Sequence, residues 1–153
     1  MTLCSDVLKA LEGKQLVTAE SLTGGGIGAA ITSVSGASAV YKGGVISYTN
    51  AVKESVLGVP GEILERYGAV SQWTAGYMAS GVRKLLRADV AVSVTGLAGP
   101  GGDEYGNCVG TVFIGYEDAR CAEVRHFVFE GSRDEVRNRT VRAALELILE
   151  KNP

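Results

Sequence analysis

Residues 88–96, ADVAVSVTG, form a run dominated by alanine and valine. A strand with one wet face alternates apolar and polar residues, and this one is apolar nearly throughout. It therefore reads as a strand covered on both faces, the environment of a parallel sheet between helices. The run leads straight into a glycine-rich loop, LAGPGGDEYGN. A shorter strand over 15–20, QLVTAE, leads in the same way into ESLTGGGIG. In open α/β sheets, ligands sit beyond the carboxyl ends of the strands. Two glycine loops at two strand ends thus suggest the walls of one pocket.

The rest of the pattern supports this class. Leu3, Val7, Leu8 and Leu11 have helical spacing, and Gly13 ends that helix. GIGAAITSV reads as a helix of small residues able to pack close to a sheet. YKGGVISYTN is β-rich in its second half, and a short helix starts near Asn50. Pro60 opens another helix in its first turn. Ser71 caps a longer one whose apolar set is Ala75, Met78, Ala79, Val82, Leu85 and Leu86. CVGTVFIGY and CAEVRHFVF are strands joined by EDAR, short enough for a hairpin. Ser132 and Glu135 form a capping box before a final helix. Alternating strands and helices followed by a hairpin predict one α/β domain over residues 1–153, a mixed sheet layered by helices.

Composition narrows the function. Hydrophobic residues make up 46% and charged residues 21% of the chain, a globular profile. Net charge is −2, with acids and bases interspersed, so neither a nucleic-acid stripe nor a membrane-binding basic run is expected. No apolar run approaches the roughly 18 residues of a spanning helix. The first residues read as an amphipathic helix rather than a signal peptide, and a cytoplasmic location is expected. Cys4, Cys108 and Cys121 make no paired motif and read as reduced thiols in or near the core. The lone His126 lies on an alternating strand. With no second histidine and no cysteine cluster, neither a metal site nor any other cofactor is expected.

TGGGIG invites comparison with the dinucleotide turn of short-chain dehydrogenases, and Ser38, Tyr48 and Lys53 with their catalytic residues. Ala30 breaks the turn at its last glycine, and Tyr48 and Lys53 stand one residue too far apart to share a helix face. No acidic residue follows where a ribose hydroxyl needs one, and no G-K-[ST] makes a Walker loop.

AESLTGG, SGASAVYKGGVISYTNAVKESVLGV, GAVS, ADVAVSVTGLAGPGG and VGTVFIG resemble, in order and spacing, the C-terminal domain of the CinA competence/damage-inducible proteins. That domain also occurs alone, as nicotinamide-nucleotide amidase. The resemblance runs from about residue 5 to residue 150 and implies a three-layer α/β/α fold. It also implies metal-independent hydrolysis of the carboxamide of nicotinamide mononucleotide to nicotinic acid mononucleotide and ammonia, and a homodimer or larger homo-oligomer. No counterpart of the N-terminal domain of full-length CinA proteins is expected, so activities residing there are not carried over. Leu22 stands where the family often has cysteine. Ser35 and Ala37 replace a proline and a serine. These departures bear on substrate preference.

The resemblance carries over Ser38, Tyr48 and Lys53 as the catalytic group. Ser38 is then expected to attack the carboxamide carbon, with Tyr48 or Lys53 as general base. Ser21 is expected to bind substrate rather than attack it. Thr23, Gly24, Gly25, Thr95, Gly96, Gly99 and Gly101 are candidates for phosphate and ribose contacts through the two loops. Arg137 matches a family arginine and can pair with phosphate, and Glu20 can orient Lys53 or a ribose hydroxyl. Two alternatives remain open: a nucleotide-binding module without turnover, and an amidase for another small carboxamide.

Overall fold

The computed structural model describes residues 2–153. Helix α1 (Thr2–Ala10) leads to β1 (Leu16–Glu20), α2 (Gly26–Thr32) and β2 (Tyr41–Ile46). Three helices follow, α3 (Asn50–Ser55), α4 (Gly61–Tyr67) and α5 (Gln72–Leu86). Strands β3 (Val90–Gly96), β4 (Thr111–Glu117) and β5 (Ala122–Val128) then precede α6 (Arg133–Lys151).

The five strands form one sheet in the order β2-β1-β3-β4-β5. β1 pairs in parallel with both β2 and β3, whereas β3–β4 and β4–β5 are antiparallel. The sheet is therefore mixed, with its parallel half carrying the two glycine loops. Alternation along each strand divides the core. Leu16, Val90, Val92 and Val94 face the layer containing Val7, Ile27, Ile31 and Ile148 from α1, α2 and α6. Val17, Ala19 and Ala91 face Met78 and Val82 of α5, together with Leu57, Val59 and Leu64. Both faces of β3 are covered, as its composition requires.

Close approach of α5 depends on two glycines. A Cβ on Gly81 would lie 1.9 Å from the Leu57 carbonyl oxygen, and one on Gly115 would lie 2.6 Å from that of Ala75. A side chain at Gly115 would force the helix off the sheet, and one at Gly81 would drive it away from the α3–α4 connection.

Four expectations need correction. β2 occupies the first half of the 41–50 stretch, not the second. Pro60 is the residue before α4, not part of its first turn. Leu85 is exposed, because α5 turns that edge away from the sheet, whereas Leu86 packs against the core. Cys4 is buried, but Cys108 and Cys121 are exposed. His126 lies on β5 as expected, its ring stacked on Phe113 across the hairpin.

The connections leaving β1 and β2 go to opposite faces, to α2 and α3 respectively. Such a divergence opens a crevice at the carboxyl ends of the strands.

Candidate functional site

Ser21 is the first residue beyond β1. Its N–H donates to the Val94 carbonyl at 3.0 Å, so the β1–β3 pairing reaches it and holds it at the mouth of the crevice. One strand over, the Ser47 N–H donates to the Glu20 carbonyl at 2.8 Å, extending β2 in the same way. The chain then turns into α3, whose start is capped by the Thr49 hydroxyl. This short helix sends Lys53 back across the crevice. Lys53 Nζ lies 3.0 Å from Ser21 Oγ and donates to the Ser47 carbonyl at 2.6 Å. The Lys53 side chain is 1% exposed. Burial alone, with no charged neighbour contributing, lowers its pKa to about 8. A lysine in that range supplies a useful neutral fraction near physiological pH.

The second glycine loop forms the facing wall. Asp103 accepts the N–H groups of Tyr105 and Asn107, and the Asn107 amide donates to the Val70 carbonyl at 2.9 Å. The Tyr105 hydroxyl donates to the Glu65 carbonyl at 2.7 Å. The loop is thus stapled to the α4–α5 side of the molecule. Between the walls lies a cavity of about 370 Å³, bordered by Ser21, Leu22, Tyr48, Lys53, Val70, Thr95, Gly96, Leu97, Ala98, Gly99, Gly101 and Arg133. That is within the size range of small-ligand sites. Thr95 presents mainly its body, since its hydroxyl donates to the Ala69 carbonyl at 2.7 Å.

Of the residues singled out from sequence, Ser21, Tyr48, Lys53, Thr95, Gly96, Gly99 and Gly101 meet at this cavity. Ser38 does not. It sits exposed on a single 3-10 turn before β2, whereas Tyr48 and Lys53 follow that strand. Tyr41 at the start of β2 pairs with Leu16, and Ile46 at its end pairs with Glu20. The whole strand, roughly 20 Å at ~3.3 Å per residue, separates Ser38 from the crevice. Ser38 is therefore not brought to Lys53 within this chain, contrary to expectation, and the serine beside Lys53 is Ser21.

Glu20 is also reassigned by its contacts. Its carboxylate is buried and accepts from Thr23 Oγ1 at 2.6 Å, Ile27 N–H at 2.9 Å and Gly28 N–H at 3.0 Å. The N-terminus of α2 therefore already holds an anion, and that anion is the protein's own. Among the described residues Glu20 makes no hydrogen bond to Lys53 and does not border the cavity; Thr23 is part of the clasp that binds it, and Gly24 and Gly25 form the turn from Thr23 into α2. Arg137 is turned onto the same loop, donating to the Leu22 carbonyl at 2.9 Å and to the Thr23 carbonyl at 3.3 Å.

The cation at the cavity is instead Arg133, which the sequence reading missed. It is the first residue of α6, fixed by the capping box of Ser132 and Glu135. Its guanidinium donates to the Tyr48 hydroxyl at 3.2 Å and to the Gly99 carbonyl, joining the two walls at the rim. The capping box was the available signal, because it projects the residue just inside the cap toward the strand ends. Among the described residues, no cluster of potential ligands is arranged to hold a metal ion. No described helix is long and apolar enough to cross a membrane.

Fold and site together define a three-layer α/β protein with a small-ligand cavity at the point where its strand connections diverge. A family model described as the CinA C-terminal domain matches residues 2–152, and the chain belongs to that family. A CinA-like protein of Endomicrobium trichonymphae is 47% identical over 142 residues, covering 92% of this chain and 33% of the relative. A putative competence-damage inducible protein of Thermoanaerobacter pseudethanolicus is 44% identical, covering 93% of this chain and 35% of its own. The chain thus spans about a third of the length of these relatives. Among solved structures, competence damage-inducible protein A of Klebsiella pneumoniae superimposes with a TM-score of 0.96 at 37% identity, covering 98% of this chain and 94% of that one. The competence/damage inducible protein CihA of Agrobacterium tumefaciens gives 0.92 at 40% identity, covering 99% and 94%.

Proposed function

We propose that this chain hydrolyses the carboxamide of nicotinamide mononucleotide, with Ser21 as nucleophile and Lys53 as general base. The observation that carries the reading is the buried pair itself, Lys53 Nζ at 3.0 Å from Ser21 Oγ at the cavity wall. A serine is a weak nucleophile until a neighbouring base takes its proton. A lysine desolvated to a pKa of about 8 is such a base.

In the first half-reaction, neutral Lys53 accepts the Ser21 hydroxyl proton as Oγ bonds to the carboxamide carbon. The carbonyl π pair moves to oxygen, and the Leu22 N–H, next in the chain, is the candidate donor to that oxyanion. The intermediate collapses with cleavage of the C–N bond. Lys53 returns the proton to the departing nitrogen, which leaves as ammonia. In the second half-reaction, water gives a proton to Lys53 while its oxygen attacks the acyl carbon. Collapse breaks the acyl–Oγ bond, Lys53 returns its proton to Ser21 Oγ, and the product acid gives its remaining proton to solvent to leave as the carboxylate.

Tyr48 is assigned to the rim. It is 60% exposed and its hydroxyl is engaged by Arg133, which favours Lys53 over Tyr48 as base. Val70, Leu97 and Ala98 provide apolar wall for a pyridine ring. Arg133 is the cation available to the phosphate, where a planar guanidinium can bind two oxygens. The experiment is ammonia release from nicotinamide mononucleotide by the purified chain without added metal. Thermal stabilisation by the nucleotide with no ammonia would instead support a binding module. Faster hydrolysis of another carboxamide would reassign the substrate.

A further inference from the structure

Ser47 is completely buried, and its hydroxyl has no hydrogen-bond partner among the described residues. An orphaned hydroxyl in a protein interior is unfavourable and calls for an explanation. Its surroundings supply one. The Ser47 N–H is bound to the Glu20 carbonyl, and the Ser47 carbonyl accepts from Lys53 Nζ at 2.6 Å. The backbone of this one residue therefore ties the end of β1 to the base. Along β2, Val45 faces the α5 layer and Ile46 the opposite side. Strand alternation puts the Ser47 side chain on the Val45 face, the face that α3 and Lys53 cover. Ser47 does not border the cavity, so it can reach the reaction only through Lys53.

An ammonium group has three donors. Two directions from Lys53 Nζ are taken, toward the Ser47 carbonyl and toward Ser21 Oγ. The geometry points to Ser47 as a positioning residue: rotation about its Cα–Cβ bond brings the orphaned hydroxyl to accept the third N–H whenever Lys53 is protonated. The hydroxyl is then idle while the base is neutral and engaged once the base has taken a proton. This rests on the reading of Lys53 as the base, but concerns its proton affinity, which is measurable without substrate. The other ionisable groups bordering the cavity are Tyr48 and Arg133, which bind each other at the rim, and Glu20 is turned onto α2.

The test is an NMR titration of the Lys53 side chain in the intact protein, with the signal assigned by Lys53→Met. In Ser47→Ala the Lys53 midpoint is expected to fall by about one pH unit, the effect of losing one hydrogen bond to a charged group. Ser47→Cys keeps the volume with a weak acceptor and is expected to fall similarly, while Ser47→Thr keeps the wild-type midpoint. If wild type and Ser47→Ala both release ammonia, the pH–rate profile of Ser47→Ala should move to lower pH with the Lys53 midpoint, with kcat lowered on the plateau above about pH 8 and KM unchanged. An unchanged Lys53 midpoint in Ser47→Ala or Ser47→Cys overturns the inference. A shifted midpoint in proteins that hydrolyse no carboxamide would leave it standing and overturn the proposed function instead.

Discussion

Lys53 and Ser21, far apart in sequence, meet at 3.0 Å because their strands are parallel neighbours that end side by side. One arrives directly from β1 and the other by way of a single short helix after β2. The pair is buried, and the cation has only neutral partners.

The first prediction concerns pH. Burial lowers the Lys53 pKa to about 8, so the active, neutral form grows as pH rises through that value. The kcat/KM for amide hydrolysis is expected to rise about tenfold per unit below pH 8 and to level off above it. A profile flat from pH 6 to 9 would remove Lys53 as base.

The same burial makes Lys53 costly to stability. The unfolded chain binds the lysine proton up to about 10.5 and the folded chain only up to about 8. Between these values the unfolded state carries more protons, so stability rises with pH across that window. Below it the full cost applies, on the order of 3 kcal/mol. Lys53→Met is therefore expected to abolish activity while raising the thermal midpoint at pH 7 by several degrees. A lowered midpoint would show that the lysine is structurally required.

Much of the architecture was legible in the sequence, and the reasons are local. Residues 88–96 declared a strand covered on both faces, and Ser132 with Glu135 declared the start of α6. Which serine stands beside Lys53 was not legible, because it depends on strand order. Ser38 lies near Tyr48 along the chain, and only the parallel pairing of β1 with β2 shows that β2 carries them to opposite ends. β2 itself was misplaced because Gly43 and Gly44 weaken its strand pattern. Gly44 is needed there: the Tyr41 hydroxyl reaches Thr18 Oγ1 at 2.6 Å, and a Cβ at residue 44 would strike both. Glu20 was misread because its partners lie on the first turn of α2 beyond the glycines, a contact that only the folded loop creates.

The two arginines at the start of α6 should separate cleanly. Arg133→Ala is expected to raise KM for nicotinamide mononucleotide by about 10- to 100-fold, the loss of a charged hydrogen-bonded contact. It should have little effect on the phosphate-free riboside. Arg137→Ala releases the Leu22 and Thr23 carbonyls and should instead lower kcat and stability, by about 1–2 kcal/mol in urea unfolding. Equal effects of Arg133→Ala on nucleotide and riboside would contradict phosphate binding there.

Glu20 is expected to behave as a structural residue. Glu20→Ala removes the acceptor of two backbone N–H groups at the start of α2 and of the Thr23 hydroxyl. A loss of about 3 kcal/mol is predicted by chemical denaturation, of the size seen when buried charged hydrogen bonds are broken. A stable Glu20→Ala protein with wild-type unfolding would refute the clasp.

The central claim is the identity of the nucleophile, and one comparison tests it most directly: steady-state ammonia release from nicotinamide mononucleotide by Ser21→Ala and by Ser38→Ala, side by side. The predicted result is a fall in kcat of about a thousandfold or more for Ser21→Ala, with Ser38→Ala within a few-fold of wild type. Retained turnover in Ser21→Ala, or its loss in Ser38→Ala alone, would contradict the account.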